Sequence, residues 1–227
     1  MTDRAAWLRR LRRQNERQED ALSPVFDQRW GEIGDFHRAF VERFLSMLPS
    51  EGRVLDAACG TGKYFGMVLA TGRSLLGVDH SSGHLARARA KFPEVSVERA
   101  DLQDLGYHDE FDGVMCVDAL EMVPPEDWPV VLERFNRALR SGGWLYLTVE
   151  RVPDADVREA NEEARASGLP VVEGEAVWQD GDLYHHYPPM DQVRTWLKDA
   201  GLRVREDAEA PWDGSYTYHH VLARREA

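Results

Sequence analysis

The order of apolar and polar positions along the chain predicts two helices at its start. Residues 5–22 and 35–48 follow a helical pattern, and the second segment carries Phe36, Phe40 and Phe44 at helical spacing. A linker that contains Phe26 and Trp30 joins the two helices. We expect these segments to form a helical cap beside the rest of the protein.

Short apolar runs alternate with helical patterns from residue 53 onward. Strands are predicted at 53–57, 74–79, 95–101, 111–118 and 144–150, with helices between them at 63–70, 82–92 and 125–139. This alternation indicates an α/β fold with a doubly wound, mostly parallel sheet. Two more runs, 202–210 and 215–225, follow a helix at 191–200 without a long helix between them. Because parallel neighbours need a long crossover, we expect a seven-stranded sheet that ends in an antiparallel strand.

An insert interrupts this rhythm after the fifth strand. Residues 154–167 predict a helix, and Asp180-Gly181 between two strand-like runs predicts a hairpin. A two-residue turn would pair Glu175 with His186. Alternation along the strands would then place Trp178 and His185 together on the opposite face.

The 227 residues are expected to form one domain with four segments. These are the helical cap (1–48), the core (49–150), the insert with its helix and hairpin (151–190), and a C-terminal helix with a strand pair (191–227). A chain of this length can bury one large core.

The net charge of −12 argues against a polyanionic partner, because neutralising phosphates requires clustered basic residues. No apolar run approaches the ~18 residues of a membrane span, and the first residues lack the apolar region of a secretory signal. Cys59 and Cys116 fit a reducing compartment. We therefore expect a cytoplasmic protein without a nucleic-acid or membrane partner; the sequence does not indicate its oligomeric state.

The stretch VLDAACGTGK, residues 54–63, predicts a ligand-binding turn directly after the first strand. In open parallel sheets, ligands bind at the carboxyl ends of the strands. Gly60 and Gly62 match the first two positions of the dinucleotide fingerprint G-x-G-x-x-G, but Phe65 stands at the third. The carboxylate of Asp56 before the turn would repel a pyrophosphate. The turn therefore favours a nucleoside without phosphate.

Acidic residues end the next two strands as well. Asp79 ends the second strand, where a carboxylate accepts hydrogen bonds from both ribose hydroxyls. Asp101 ends the third strand, where it could accept from an adenine amino group, although the nearby Asp104 could do the same. S-adenosylmethionine carries an ammonium, a sulfonium and no phosphate, so its charges match this acidic edge.

These motifs together resemble those of the class I S-adenosylmethionine-dependent methyltransferases. The resemblance is carried by VLDAACGTG, LLGVDHS, RADLQDL, FDGVMCVDALEMV and LRSGGWLYL, and it is strongest over about residues 50–150. The family usually has Gly where this chain has Ala58, which narrows the room beside the ligand.

The resemblance implies S-adenosylmethionine as the cofactor, with S-adenosylhomocysteine as the product. Asp56 and the backbone of the turn would hold the methionine end, Asp79 the ribose and Asp101 the adenine. The full set of implied cofactor-binding residues is Asp56, Ala58, Cys59, Gly60, Gly62, Asp79, His80, Asp101, Leu102, Cys116 and Val117.

The acceptor side is expected in the cap, the loop after the fourth strand and the insert. Methyl transfer needs alignment and exclusion of water, and a general base helps when the acceptor must lose a proton. The candidate catalytic residues are Glu121, His185 and His186, of which parity lets only one histidine face the acceptor. The candidate substrate-binding residues are Phe26, Trp30, Asp118, Trp178, Tyr187 and His219. No metal is expected, because the spacing of the histidines matches no compact ligand motif.

The function favoured by the sequence is methyl transfer from S-adenosylmethionine to an N, O or C atom of a small molecule by in-line displacement, with a possible histidine base. Two alternatives keep the fold: methylation of protein or RNA, and cofactor binding without methylation. A dinucleotide oxidoreductase is a third, disfavoured by Phe65 and Asp56. The sequence does not identify the acceptor.

Overall fold

The computed structural model describes residues 3–178, 183–211 and 217–226. The main sheet has seven strands in the order β3-β2-β1-β4-β5-β9-β8. The first five are parallel, and β9 lies antiparallel between β5 and β8. The predicted doubly wound α/β fold is therefore confirmed. The strands are β1 (Arg53–Ala57), β2 (Ser74–Asp79), β3 (Ser96–Arg99), β4 (Phe111–Cys116), β5 (Leu139–Arg151), β6 (Glu175–Trp178), β7 (Leu183–His186), β8 (Leu202–Pro211) and β9 (Thr217–Arg225).

The helices cover both faces of the sheet and its carboxyl edge. They are α1 (Arg4–Leu22), α2 (Phe26–Trp30), α3 (Asp35–Ser46), α4 (Phe65–Leu69), α5 (Ser82–Lys91), α6 (Trp128–Ala138), α7 (Asp154–Ala166) and α8 (Met190–Asp199). Short 3-10 turns occupy Leu102–Asp104 and Leu120–Met122. Helix α2 is an addition to the prediction, because its five residues are too few to show a period. None of the described helices is long and apolar enough to span a membrane.

The core forms on the two faces of the sheet. On one face, Trp128, Phe135 and Leu197 of α6 and α8 pack in the largest buried cluster. On the other face, Val41 and Phe44 of α3 pack against the strands. Two helix layers thus fix the strand ends that carry the acidic residues.

Strand β5 begins earlier than predicted. Leu139 pairs with Phe111 of β4, whereas the next pair joins Trp144 to Gly113, so the intervening residues of β5 form a bulge. Gly142 has a φ of 76° within this bulge. A pattern of alternating side chains cannot reveal an irregularity of this kind.

The hairpin has the register that the sequence predicted, with Glu175 opposite His186 and Trp178 opposite Leu183. The predicted turn at Asp180-Gly181 lies outside the described residues. Helix α1 packs on this hairpin, because the ring of Trp7 meets that of Tyr184 edge to face at 5.8 Å. The cap and the insert are therefore joined at the carboxyl edge of the sheet.

Candidate functional site

The glycine turn after β1 has an unusual backbone. Ala58, Gly60 and Gly62 have φ values of 62°, 54° and 80°, in the left-handed region that favours glycine. The amide of Cys59 donates to the carbonyl of Val78 and so ties the turn to β2. A left-handed residue with a side chain costs roughly 1–2 kcal/mol, which explains why glycine usually stands at the position of Ala58.

Phe65 fills the space that a third glycine would leave empty in a dinucleotide site. Its ring is fully buried beneath the turn. A Cβ atom at Gly62 would lie 2.8 Å from this ring, and one at Gly77 would lie 2.5 Å from it. Both glycines are therefore needed to admit the Phe65 ring, and the G-x-G-x-x-G packing is absent from this turn.

Asp79 braces the turn from the end of β2. One carboxylate oxygen accepts from the Gly60 amide and the other from the Ser81 amide, both at 2.8 Å. The side chain is buried but lines the cavity described below. Because each carboxylate oxygen can accept more than one hydrogen bond, Asp79 retains acceptor capacity toward the cavity.

A cavity of about 830 Å³ opens above the turn. Helices α1 and α2, the strand ends and the hairpin surround it. This volume falls within the roughly 300–1,000 Å³ typical of small-molecule sites. Among the predicted site residues, those that line it are Phe26, Trp30, Ala58, Cys59, Gly60, Asp79, His80, Asp101, Leu102, Val117, Asp118, Glu121 and His185.

Helix α1 is fastened over the cavity by its own acids and bases. The Asp20 carboxylate accepts from the Ser81 hydroxyl at 2.7 Å and the Gly83 amide at 2.8 Å. Arg12 forms an ion pair with Asp127 at 2.5 Å. Glu19 faces the cavity between these anchors. Burial, and then the charge of Asp79, raise the pKa of Glu19 to about 7.

Asp118 organises the end of the cavity beyond β4. It has a φ of 54°, and its amide donates to the Thr148 hydroxyl at 2.8 Å. Its carboxylate lies 3.0 Å from His37 Nε2 and 3.7 Å from Lys63 Nζ. Burial alone would raise the pKa of Asp118, but the hydrogen bond and charge of His37, with the charge of Lys63, lower it overall. Asp118 is thus held as a carboxylate.

Glu121 and Glu150 form a second buried acidic group beside Asp118. Glu121 lies on the 3-10 turn after β4, Glu150 near the end of β5, and both line the cavity. Burial first, and then the charges of Glu150 and Asp118, raise the pKa of Glu121 well above its usual range. His185 Nδ1 lies 3.2 Å from Glu150 Oε2 and 2.8 Å from the Tyr187 hydroxyl.

Asp56 lies beneath the turn rather than in the cavity. Its side chain is almost fully buried, and its Oδ2 has no hydrogen-bond partner among the described residues. Burial, and then the charge of Asp79, raise the pKa of Asp56 to about 8. A carboxyl group that is mostly neutral at pH 7 does not repel a pyrophosphate. The sequence predicted this repulsion from Asp56, but Asp79 is the acid that lines the cavity and would exert it. Gly62 and Cys116 also lie beneath the cavity surface, where they shape the turn and the β4 core.

Four further predicted residues do not line the cavity. His186 is buried on the opposite face of the hairpin, where its ring meets Trp128 edge to face at 6.2 Å. Tyr187 supports His185 from behind and also accepts from Trp178 Nε1 at 3.2 Å. His219 Nε2 lies 3.3 Å from Asp207 on β8. Strand parity, as predicted, brings one histidine of the pair to the cavity, and it is His185.

Several cavity residues escaped the sequence prediction. They are the cap residues Glu19 and His37, Lys63 after the glycine turn, His84 on α5, and Glu150 on the last parallel strand. All but His37 line the cavity, and His37 reaches it through Asp118. Glu150 carried a usable signal, because it ends a predicted strand as Asp79 does. The others depend on how distant segments pack, which periodicity does not reveal.

The site fits S-adenosylmethionine. A Cβ atom at Gly60 would enter the cavity and meet only His84 and Phe26, both at 3.9 Å, so the turn leaves a cradle that glycine keeps open. Asp79 and Asp101 offer acceptors along the cradle for hydroxyl and amino groups. The acids favour a cation, and Lys63, the base nearest the turn, is already directed to Asp118.

Among the described residues, no group of three or more His, Cys, Asp or Glu side chains is arranged to hold a metal ion.

Comparisons with known proteins agree with this geometry. Residues 54–143 match the family model described as a methyltransferase domain. Trans-aconitate 2-methyltransferase of Methylobacterium nodulans is 33% identical over 100 residues, which cover 43% of this chain and 38% of that protein. The tRNA (carboxymethyluridine(34)-5-O)-methyltransferase of Arabidopsis thaliana is 31% identical over 136 residues, which cover 57% of this chain and 31% of that protein. The chain thus spans about a third of the length of these relatives.

A solved structure resembles the fold over the full length of the chain. It is the 1,6-didemethyltoxoflavin-N1-methyltransferase of Burkholderia thailandensis with bound 1,6-didemethyltoxoflavin and S-adenosylhomocysteine. The alignment has a TM-score of 0.74, covers 100% of this chain and 92% of that chain, and has 14% sequence identity. At this identity the likeness establishes the fold.

Proposed function

We propose that this chain, which belongs to the class I S-adenosylmethionine-dependent methyltransferases, transfers a methyl group from that cofactor to a small molecule. The observation that carries the proposal is the cavity of about 830 Å³, which joins the glycine turn to a buried acceptor end beneath a helical cap. The four segments of the chain act as one domain in this proposal.

The strand ends hold the cofactor. Asp79 accepts hydrogen bonds from the ribose hydroxyls while its bonds to Gly60 and Ser81 keep its carboxylate fixed. Asp101 and Leu102 contact the adenine, and the backbone from Ala58 to Gly62 follows the methionine end. When bound, S-adenosylmethionine supplies a methyl group on a sulfonium sulfur, and that carbon–sulfur bond breaks toward sulfur as the acceptor's electron pair bonds the methyl carbon.

The protein itself aligns the reactants, excludes water from the site and supplies a group that accepts a proton. Helices α1 and α2 exclude water from the cavity, and Phe26 and Trp30 contribute apolar rings to its wall. Holding the reactants aligned can supply roughly 7–11 kcal/mol of the barrier. His185 takes the acceptor proton. Its Nδ1 faces Glu150 and Tyr187, so Nε2 is the nitrogen that remains for this role.

The relative that acts on tRNA raises the alternative of an RNA acceptor. The described cavity argues against it in two ways. The cap covers the turn, which leaves little room for a folded polynucleotide, and the acceptor end carries the carboxylate of Asp118, which repels phosphates. A small acceptor meets neither obstacle.

A methyl-donor assay tests the proposal. The purified protein is incubated with methyl-labelled S-adenosylmethionine and, in separate reactions, with a pool of small metabolites, with total tRNA and with total protein. The proposal expects label in the small-molecule fraction, and expects its loss in a His185→Gln variant that still binds S-adenosylhomocysteine. Label in tRNA or protein alone would refute the small-molecule acceptor, and binding without turnover in any reaction would favour a non-methylating member of the fold.

A further inference from the structure

The acceptor end of the cavity contains two buried carboxyl groups with unpaired oxygens. Glu121 is 7% exposed and Glu150 is 5% exposed, and both line the cavity. The Oε2 atoms of both side chains have no hydrogen-bond partner among the described residues. A buried carboxyl oxygen without a partner costs free energy, so this pair lacks a group that it is placed to bind.

The neighbouring basic side chains do not donate hydrogen bonds to these two Oε2 atoms. Lys63 and His37 are directed to Asp118, at 3.7 and 3.0 Å. His185 Nδ1 approaches Glu150 Oε2 at 3.2 Å, but without the alignment of a hydrogen bond, and it is bonded to the Tyr187 hydroxyl instead. The Oε2 atoms of Glu121 and Glu150 therefore keep acceptor capacity that no described donor takes up.

The missing group must donate several hydrogen bonds and carry positive charge. An ammonium has three donors and no acceptor, and it stabilises carboxylates that burial otherwise disfavours. A carboxylate or phosphate on the acceptor would instead be repelled by the carboxylate of Asp118 and would bring only further acceptors to Glu121 and Glu150. Val117, Met122 and Leu183 line the same cavity, so the ammonium would be attached to an apolar body.

We infer that the methyl acceptor is an amine with a small apolar body, that Glu121 and Glu150 bind its ammonium group, and that the ammonium then gives one proton to His185, so that the freed electron pair of the nitrogen can bond the methyl carbon. This inference rests on the proposed function and assigns its substrate class. Burial and the charges of Glu150 and Asp118 raise the pKa of Glu121, and a bound ammonium would lower it again, so binding of the amine is linked to release of a proton.

Three probes with one apolar body test the inference: phenethylamine, phenethyl alcohol and hydrocinnamate, which carry an ammonium, a hydroxyl and a carboxylate. Each is titrated by calorimetry into the protein saturated with S-adenosylhomocysteine. The amine is expected to bind at least about tenfold more tightly than the alcohol, as one charge-assisted bond provides. Its heat should depend on the ionisation enthalpy of the buffer, which reports the released proton.

Matched variants locate the effect. The double variant Glu121→Gln, Glu150→Gln should lose the preference for the amine and retain its affinity for S-adenosylhomocysteine. Glu133→Gln, at an exposed position of α6, should change neither. An amine that binds no better than the other probes, or a preference that survives in the double variant, would overturn the inference. If the double variant fails to fold, the probe series on the unaltered protein still decides. Failure to bind S-adenosylhomocysteine would instead overturn the proposed function.

Discussion

Replacing Asp79 with alanine is expected to weaken S-adenosylhomocysteine binding at least tenfold. The carboxylate lies at the end of β2 with acceptor capacity left toward the cavity. A hydrogen bond from a hydroxyl to a carboxylate contributes about 1.5–3 kcal/mol, and each 1.4 kcal/mol corresponds to a factor of about ten in affinity. Two ribose hydroxyls would give a larger loss if both bonds are made.

The same change also costs stability. The amides of Gly60 and Ser81 lose the oxygens that accept from them at 2.8 Å. Ser81 is fully buried, so its amide cannot turn to water, whereas Gly60 borders the cavity. An unpaired buried amide costs about 1–3 kcal/mol. We therefore expect a folded but less stable variant, and the loss of affinity must be separated from the loss of stability.

Asp112→Ala provides that separation. Asp112 accepts from the Arg53 amide at 2.8 Å, at the opposite end of the sheet from the cavity. This variant should lose a similar amount of stability in a denaturant titration and keep its affinity in calorimetry. Unchanged affinity in Asp79→Ala would refute the assignment of Asp79 to the ribose. An equal loss of affinity in both variants would show that destabilisation, and not a lost contact, is the cause.

Three further predictions concern the turn, the adenine end and the cap. Gly62→Ala should lower the free energy of unfolding by about 1–3 kcal/mol in denaturant, because its Cβ would lie 2.8 Å from Phe65 at a φ of 80°. Asp101→Asn should weaken S-adenosylhomocysteine binding several-fold and the exposed Asp104→Asn should not; equal effects would remove Asp101 from the adenine site. Burial raises the pKa of Glu19 from 4.5 to about 7, so its contribution to stability is complete below pH 4.5 and is lost as the pH rises through 7. Glu19→Gln should therefore be more stable than the unaltered protein above pH 7, by roughly 1–3 kcal/mol, and a flat difference across pH would contradict this.

The sequence was sufficient for features that depend on local pattern. The alternation of strands and helices predicted the sheet, and the acids at strand ends placed Asp79 and Asp101 at its carboxyl edge. Strand parity predicted that His185 and His186 point in opposite directions, and the register of β6 and β7 agrees. These features follow from periods of the backbone, which a single segment contains in full.

Other features depend on segments far apart in the chain. His37 reaches Asp118 from α3, and Glu19 reaches the cavity from α1, across distances in sequence that no periodic pattern spans. The position of Asp56 shows a different limit. Its place at a strand end suggested a charge in the site, but whether such a side chain points into the cavity or beneath the turn depends on the turn geometry. Burial then raises its pKa to about 8.

Calorimetric titration of the unaltered protein with S-adenosylhomocysteine and, separately, with NAD tests the central claim most directly. The turn with Phe65 in place of a third glycine, the braced Asp79 and the cavity between them are assigned to a nucleoside without phosphate. We predict saturable one-to-one binding of S-adenosylhomocysteine and binding of NAD weaker by at least about a hundredfold, or ~2.7 kcal/mol. NAD binding of equal or greater affinity would contradict the assignment of this site to S-adenosylmethionine.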